Sequence, residues 1–180
     1  MSRTLSFLFF LSIVQMSFGQ NDKQVSIFHR LLIYNSEDEL MVLKIENTDY
    51  WVTPGLYQTE EQSILQGLDS IASTYGISLE SVSLRGVFVL KRDINSQRST
   101  SLRHVYVAQV REINLTKPKG IEEITWLTPK MAMKKITFPH IVKMIEQIEA
   151  YPEHVRGGTL LQFRENDAWQ TKILEEFYSF

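Results

Sequence analysis

The segment from Thr53 to Ile77 constrains the fold more than any other stretch of the chain. It runs TPGLYQTEEQSILQGLDSIASTYGI and opens on Pro54-Gly55, a strong turn signal that leads into an acidic loop. Apolar residues then recur at steps of four, three and four, on a single helical stripe: Ile64, Leu68, Ile71 and Tyr75. Gly76 follows as a typical helix stop. The segment therefore predicts an amphipathic helix that must bury one face against another layer of structure.

Strand patterns surround this helix. Before it, VSIFHRLLIYN and LMVLKIE predict an antiparallel pair, and a short strand is expected from Tyr50 to Thr53. After it, VSLRGVFVLK and RHVYVAQVREI predict two strands joined by the polar loop RDINSQRSTSL. EEITWLTP is a short strand that meets a helix start at Thr128-Pro129, and FPHIVKMIEQIEAY has a helical apolar face. The tail predicts a hairpin that turns at Asn166-Asp167, so one mixed α/β domain is expected.

The first residues have the pattern of a secretory signal peptide. A basic start precedes an apolar run from Leu5 to Val14, and the small residues Ser17 and Gly19 mark a cleavage point. A membrane anchor is the alternative, but a spanning helix needs roughly 20 apolar residues and this run is shorter. We therefore expect residues 1–19 to be removed and the protein to be exported, either periplasmic or secreted.

Charge and composition exclude several classes of function. The net charge is −2 and the basic residues are not clustered, so a nucleic-acid surface is not expected. The chain has no cysteine, which excludes disulfides and thiol nucleophiles. The four histidines lack the spacing of metal-ligating motifs and are interpreted as packing or surface residues. The expected partner is a small ligand or another protein, with no membrane contact after signal removal.

The helix segment also matches a known catalytic motif in its spacing. Five residues separate Gly55 from Glu61, and seven more lead without a gap to a final block: Asp69, Ser70, Ile71, Ala72, Ser73, Thr74, Tyr75, Gly76 and Ile77. This spacing resembles the box of the Nudix hydrolase domain, which runs Gly, Glu, Arg-Glu, Glu-Glu and Gly with the same separations. Trp51 before the box and ITWLTPKMAMKKITFPH after it are also similar to family features. The resemblance covers the chain from Val25 to Ala150.

The resemblance implies a fold and a set of boundaries. Members of the family form an α/β/α sandwich with a mixed sheet, and we expect residues 20–156 to form this Nudix-like domain. Residues 157–180 lie beyond the resemblance and add a C-terminal β-hairpin packed on the same domain. In active members, glutamates on one face of the box helix hold Mg²⁺ or Mn²⁺ against a diphosphate, and the metal activates water.

The positions that carry this chemistry differ in the present chain. Ser70, Ser73 and Thr74 stand where the family has glutamates, and Asp69 stands where it has arginine. Neutral hydroxyls cannot supply the negative charge that Mg²⁺ requires, so the standard diphosphate hydrolysis is expected to be lost. Glu61 remains as the one catalytic candidate of the box. The carboxylates that a depleted metal site would use are Glu60, Glu61, Glu122 and Glu123.

Three functions stay open. The favoured one is a non-catalytic module that binds a small ligand or a partner in the former substrate cleft, without a cofactor. Its candidate ligand-binding residues are Trp51, Tyr57, Ser70, Ser73, Thr74 and Trp126. The three hydroxyl residues also fit a solvated helix face, and the two tryptophans also fit a core.

The second function is a hydrolase of a diphosphate-containing substrate that uses Mg²⁺ or Mn²⁺ in a rearranged site. The third is an interaction protein that uses the closing hairpin as its working surface, since an edge strand can pair with another chain. The hairpin aromatics that would form this surface are Phe163, Trp169, Phe177, Tyr178 and Phe180.

Overall fold

The computed structural model describes residues 25–180, so the predicted signal peptide lies outside the described residues. The strands are β1 Ser26–Tyr34, β2 Leu40–Ile45, β3 Trp51–Val52, β4 Gly55–Tyr57, β5 Ile77–Ile94, β6 Gln97–Ile113, β7 Ile121–Leu127, β8 Arg156–Glu165 and β9 Ala168–Ser179. The helices are α1 Ile64–Thr74, α2 Pro129–Lys135 and α3 Pro139–Ala150. No helix in this part of the chain is long and apolar enough to cross a membrane.

The nine strands form one mixed sheet. Its main path runs β3-β2-β1-β6-β5-β8-β9, while β4 pairs with β1 and β7 pairs with β2. The pairs β1–β6 and β5–β8 are parallel, and the remaining pairs are antiparallel. The predicted antiparallel pairing of β1 with β2 is present but short, since it consists of the pair Tyr34 and Leu40. The extended partner of β1 is β6, which is distant in the sequence.

Two hydrophobic cores lie on opposite faces of the sheet. Leu31 and Ile33 of β1 face the core that includes α1, whereas Leu32 and Tyr34 face the core that includes α3. This alternation is the two-residue period of a strand that is covered on both sides. The arrangement confirms the predicted α/β/α sandwich with a mixed sheet and a C-terminal hairpin.

Helix α1 forms as its sequence predicts. Ser63 caps its start, since the Ser63 hydroxyl accepts from the Gln66 backbone N–H and the Gln66 side chain accepts from the Ser63 N–H. The apolar stripe is buried from Leu68 onward, while Ile64 in the first turn is 42 % exposed. The helix stops at Gly76, whose φ of +69° lies in the left-handed region. The residues on the outer face of α1, which include Ser70, Ser73 and Thr74, are exposed and do not pack against the sheet.

The connection between β5 and β6 differs from the prediction. The segment RDINSQRSTSL was expected to be a loop, but both strands continue through it to a turn at Asn95 and Ser96. Both residues have positive φ, 52° and 64°, as a tight hairpin turn requires. Backbone pairing and an Arg98–Asp93 salt bridge at 3.1 Å hold the extension. The apolar alternation that marks a strand is missing because this end of the hairpin is largely exposed.

Strand β4 is a second difference, since Pro54-Gly55 was expected to be a turn. Gly55 instead begins a short strand that pairs antiparallel with β1, opposite Arg30. A Cβ at Gly55 would lie 2.6 Å from the Phe28 ring and 2.7 Å from the His29 carbonyl oxygen. The glycine is therefore required by the close approach of the two strands, and this approach sets one wall of the cleft described below.

Candidate functional site

The hydroxyl residues of the box lie on the exposed face of α1. Ser70, Ser73 and Thr74 are all exposed, at the i, i+3 and i+4 spacing that brings side chains together on one face. The Thr74 Oγ1 donates to the Ser70 carbonyl oxygen at 2.7 Å, so it is directed to the helix itself. The three side chains therefore share one exposed helix face and carry no charge.

The four candidate glutamates are not assembled into a metal site. Glu60 and Glu61 are exposed in the loop before α1, whereas Glu122 and Glu123 are exposed on β7. Glu122 is paired with Lys44, at 2.7 Å between Oε1 and Nζ, and this hydrogen bond raises the pKa of Lys44. Within residues 25–180, no group of three or more His, Cys, Asp or Glu residues is arranged to hold a metal ion. The donor set therefore does not fit the family's divalent metal.

The candidate aromatic residues take different places. Trp51 packs against the α3 core with the Lys135 Nζ 3.8 Å from its ring centroid, and Trp126 packs against the α1 core. Neither lines the cleft described next. Tyr57 is 45 % exposed at the cleft margin, where its ring meets the edge of Phe28 at a centroid distance of 4.9 Å.

A cleft lies beside the start of the box, and its larger part is on the α3 face of the sheet. It consists of two adjoining cavities of about 270 Å³ and about 160 Å³ that share Phe28, Arg30 and Val52. The smaller cavity reaches Pro54, Gly55 and Tyr75 of the box segment. The larger one is lined by Phe28, Arg30, Val52, Arg92, Ile94, Arg103, Phe138, His140, Ile141, Gln162 and Trp169. We call this larger cavity the arginine cavity.

Two arginines are buried at the arginine cavity. Arg30 and Arg103 are each 5 % exposed. The Arg30 Nη1 donates to the Thr53 carbonyl oxygen at 3.2 Å and to the Thr53 Oγ1 at 2.7 Å, while its buried Nε has no partner in the described structure. The Arg103 Nε donates to the Ser101 Oγ at 3.0 Å. Both guanidinium groups lie over the Phe28 ring, at 5.2 Å and 4.5 Å from its centroid.

The cavity carries unbalanced positive charge. Burial, followed by the charge of Arg103, lowers the pKa of Arg30 to about 9. Burial likewise lowers the pKa of Arg103, with the Tyr57 hydroxyl acting in the opposite direction. Burial first, and then the charges of the nearby arginines, hold the pKa of His140 well below its usual range. His140 is therefore neutral at pH 7, beside arginines that are charged at that pH.

Stability is expected to fall when the pH is lowered from 7.5 to 5. Because the pKa of His140 is depressed in the folded state, the unfolded chain takes up the proton first, near pH 6.5. The stabilisation is complete above pH 6.5 and is lost as the pH falls towards the folded-state pKa, by up to about 1.4 kcal/mol per pH unit. The lowered pKa of His104 acts with the same sign.

Urea unfolding at a series of pH values measures this dependence. The His140→Gln variant should reduce the slope of unfolding free energy against pH between 5 and 6.5. The exposed His154 provides the matched control, since His154→Gln should keep the parent slope. An unchanged slope in His140→Gln would contradict the assignment.

A further cavity of about 370 Å³ lies at the C-terminal end of α3, lined in part by Tyr34, Asp38 and Glu149. Its buried polar group is already satisfied, because the Tyr34 hydroxyl donates to the Glu149 carboxylate. Burial and this hydrogen bond raise the pKa of Tyr34 above its usual value. Although this cavity is larger than the arginine cavity, we favour the arginine cavity as the ligand site, because the buried Arg30 Nε there has no hydrogen-bond partner in the described structure.

The residues of the arginine cavity were missed in the sequence because they come from distant segments. Arg30 and Arg103 each interrupt an apolar strand pattern, in FHRLLIY and LRHVYVA. A charged residue at an inward-facing strand position is costly to bury without a partner or a ligand. The interruption of the apolar pattern was therefore the signal in the sequence that could have identified these two arginines as site residues. Each arginine has a histidine as its chain neighbour, His29 before Arg30 and His104 after Arg103.

The fold is similar to that of several solved structures. A mutator MutT protein from Bacillus halodurans has a TM-score of 0.65 at 14% identity, over 86% of this chain and 97% of that chain. A NUDIX hydrolase from Nitrosomonas europaea has a TM-score of 0.57 at 17% identity, over 71% and 90%. An ADP-ribose pyrophosphatase from Streptococcus suis has a TM-score of 0.53 at 10% identity, over 78% and 100%. The chain therefore has a Nudix-like fold.

No family model matches the chain, and no curated protein sequence matches it. At identities of 10% to 17% the structural likeness establishes the fold alone. The correspondence of Gly55 to Ile77 with the family's box accordingly rests on residue spacing and on the position of α1 in this fold.

Proposed function

We propose that this Nudix-fold chain is an exported, non-catalytic module that binds a small ligand in the cleft beside the degenerate box. One observation carries the proposal: α1 presents three hydroxyl side chains where the family has glutamates, while an open cleft lies beside Gly55 at the start of the box. The three hydroxyl residues line neither cavity of this cleft. A site that has lost the charge for metal binding but kept its cavity supports binding better than hydrolysis.

Export is the part of this proposal that rests on the N-terminal pattern alone. The apolar run and the small residues up to Gly19 support cleavage after that residue. Mass spectrometry of the protein recovered outside the producing cell's cytoplasm tests it, with Gln20 expected as the first residue. Recovery of an intact N-terminus would contradict cleavage.

The purified protein is expected to show no metal-dependent hydrolysis of a nucleoside diphosphate sugar. Calorimetric titration with Mg²⁺ and with Mn²⁺, with and without the nucleotide, should give no binding heat, because hydroxyls replace the charged ligands. The variant Glu60→Gln/Glu61→Gln provides the comparison. Micromolar metal binding that disappears in this variant would overturn the proposal in favour of the rearranged hydrolase site.

The hairpin offers a weaker basis for a partner-binding function. Trp169 packs on Phe138 at a centroid distance of 5.2 Å, and Phe177 packs against Phe88 at 6.1 Å, so both rings face the body of the protein. Tyr178 and Phe180 remain exposed. The pairing of β8 with β9 is also irregular near Thr159, and such irregularities hinder the addition of another strand. We therefore propose the cleft, and not the hairpin, as the working site.

A further inference from the structure

We infer that the ligand of the cleft is a compact anion joined to a flat apolar group, and that Arg30 and Arg103 bind its anionic end. The inference rests on the proposed ligand-binding function and specifies its chemistry. The anionic end is a carboxylate or a phosphate ester, since both present the paired oxygens that a guanidinium fork recognises.

The first argument is the absence of a counter-charge. Within residues 25–180, Arg30 and Arg103 form no salt bridge, and neither does Arg92 at the rim. The lining of the arginine cavity contains no carboxylate. Two buried guanidinium groups that repel each other and lack a counter-charge are unfavourable, and a bound anion would offset the repulsion and pair the buried charge.

The second argument is the set of donors that remain free. The buried Arg30 Nε has no hydrogen-bond partner in the described structure. Arg103 donates from Nε to Ser101 and also interacts with the Tyr57 hydroxyl, and neither of these partners carries a negative charge at pH 7. Gln162, 4 % exposed, lines the same cavity and adds an amide. The donors therefore exceed the acceptors supplied by the described part of the chain, as expected for a site whose acceptor is the ligand.

The third argument concerns the walls. Phe28, Phe138 and Trp169 line the cavity, and the rings of Phe138 and Trp169 lie 5.2 Å apart. Flat aromatic walls favour a flat apolar ligand body. The volume of about 270 Å³ lies below that of pockets for drug-sized molecules, which are roughly 300–1,000 Å³, so a single-ring compound is the appropriate size.

The location separates this anion site from the metal chemistry of the fold. Arg30 lies on the same sheet face as Leu32, which α3 covers, and no residue of α1 lines the arginine cavity. Only the smaller cavity reaches the α1 side, at Tyr75. The anion is therefore bound by arginines on one side of the sheet, with no contribution from a divalent ion on the box helix. Metal chelation should leave binding unchanged.

The test is a titration of the full chain with four probes: benzoate, phenyl phosphate, the neutral benzamide, and acetate, which lacks a ring. Tryptophan fluorescence reports on the cavity through Trp169, and a Trp169→Phe variant identifies its share of the signal. Benzoate or phenyl phosphate should bind at least about tenfold more tightly than benzamide or acetate, in the presence of a metal chelator. The tighter of the two identifies the anion as a carboxylate or a phosphate ester.

Arg103→Gln should weaken this binding by roughly 10- to 100-fold, the range for one charge-assisted pair of hydrogen bonds. Arg111→Gln, an exposed arginine on the same strand, should change it less than about twofold. Arg103→Lys keeps the charge and loses the fork, and should give an intermediate loss. Circular dichroism checks that each variant is folded. If an Arg103 variant is unfolded, the Arg30→Lys variant is tested in its place.

Three outcomes would overturn the inference: no binding of either anion, equal binding of benzamide, or unchanged binding in folded Arg103→Gln and Arg30→Lys. Equal binding of benzamide within the cleft would leave the proposed small-ligand function standing. Metal-dependent hydrolysis would instead remove the proposed function, whatever benzoate does. The two failures are therefore distinguishable.

Discussion

A variant carrying Ser70→Glu, Ser73→Glu and Thr74→Glu is expected to bind Mn²⁺ with a dissociation constant on the order of 10⁻⁴–10⁻³ M, the weak end of the range for carboxylate sites. The three positions are exposed on one face of α1, so their carboxylates would project together. The helix already has its cap and its buried stripe, which the substitutions do not touch. Calorimetric titration of parent and variant with Mn²⁺ measures the gain.

The neutral variant Ser70→Gln, Ser73→Gln and Thr74→Gln is the matched control. It has side chains of the same length and hydrogen-bonding shape but no charge, so it should not bind Mn²⁺. Without metal, the glutamate variant should be less stable than the glutamine variant by about 0.2–0.5 kcal/mol for each like-charged pair, and Mn²⁺ should reverse the difference. Failure of the glutamate variant to bind would mean that α1 and the box loop do not have an arrangement that can hold a metal ion.

The Gly76→Ala substitution is expected to lower the unfolding free energy by at least about 3 kcal/mol. A Cβ at this position would lie 1.9 Å from the Asn114 carbonyl oxygen, and the glycine has a φ of +69°. The contact cannot relax easily, because the Asn114 N–H donates to the Gly76 carbonyl and the Thr116 N–H donates to the Tyr75 carbonyl, both at 2.9 Å. Urea denaturation monitored by circular dichroism measures the loss.

Gly120→Ala separates the two causes of this loss. Gly120 has a φ of +89°, so alanine is strained there too, but no atom lies within 4 Å of its added Cβ. We expect Gly120→Ala to lower the unfolding free energy by only about 1–2 kcal/mol. Equal losses in the two variants would show that backbone strain alone, and not the contact with Asn114, accounts for the effect.

Local sequence patterns predicted the elements that bury one face and expose the other. The stripe from Leu68 to Tyr75 and the stop at Gly76 both follow from the helical period, and the turn at Asn166-Asp167 follows from its residue types. The polar end of the β5–β6 hairpin and the short strand β4 were not predicted, because backbone pairing rather than apolar alternation holds them. The parallel pairing of β1 with β6 is likewise decided by contacts between distant segments.

The candidate site was less predictable than the fold. Motif spacing drew attention to Gly55 and its neighbours, which border the smaller cavity, but none of the predicted ligand-binding residues lines either cavity. It could not identify Arg92, Arg103 and His140, because the arginine cavity is assembled from β1, β5, β6, α3 and the closing hairpin. Whether Trp51 and Trp126 belong to a core or to a cleft depends on the packing of distant strands, and this information is not present in their immediate sequence.

The two faces of α1 have separate roles, and this separation bears on how the chain could change over generations. Its packing residues, such as Leu68 and Ala72, are buried, while Ser70, Ser73 and Thr74 are exposed to solvent. Substitutions on the outer face therefore leave folding almost untouched. The side chains of this face, and any chemistry that they carry, can therefore change over generations without a penalty in folded protein, and the same scaffold can be selected for a different task.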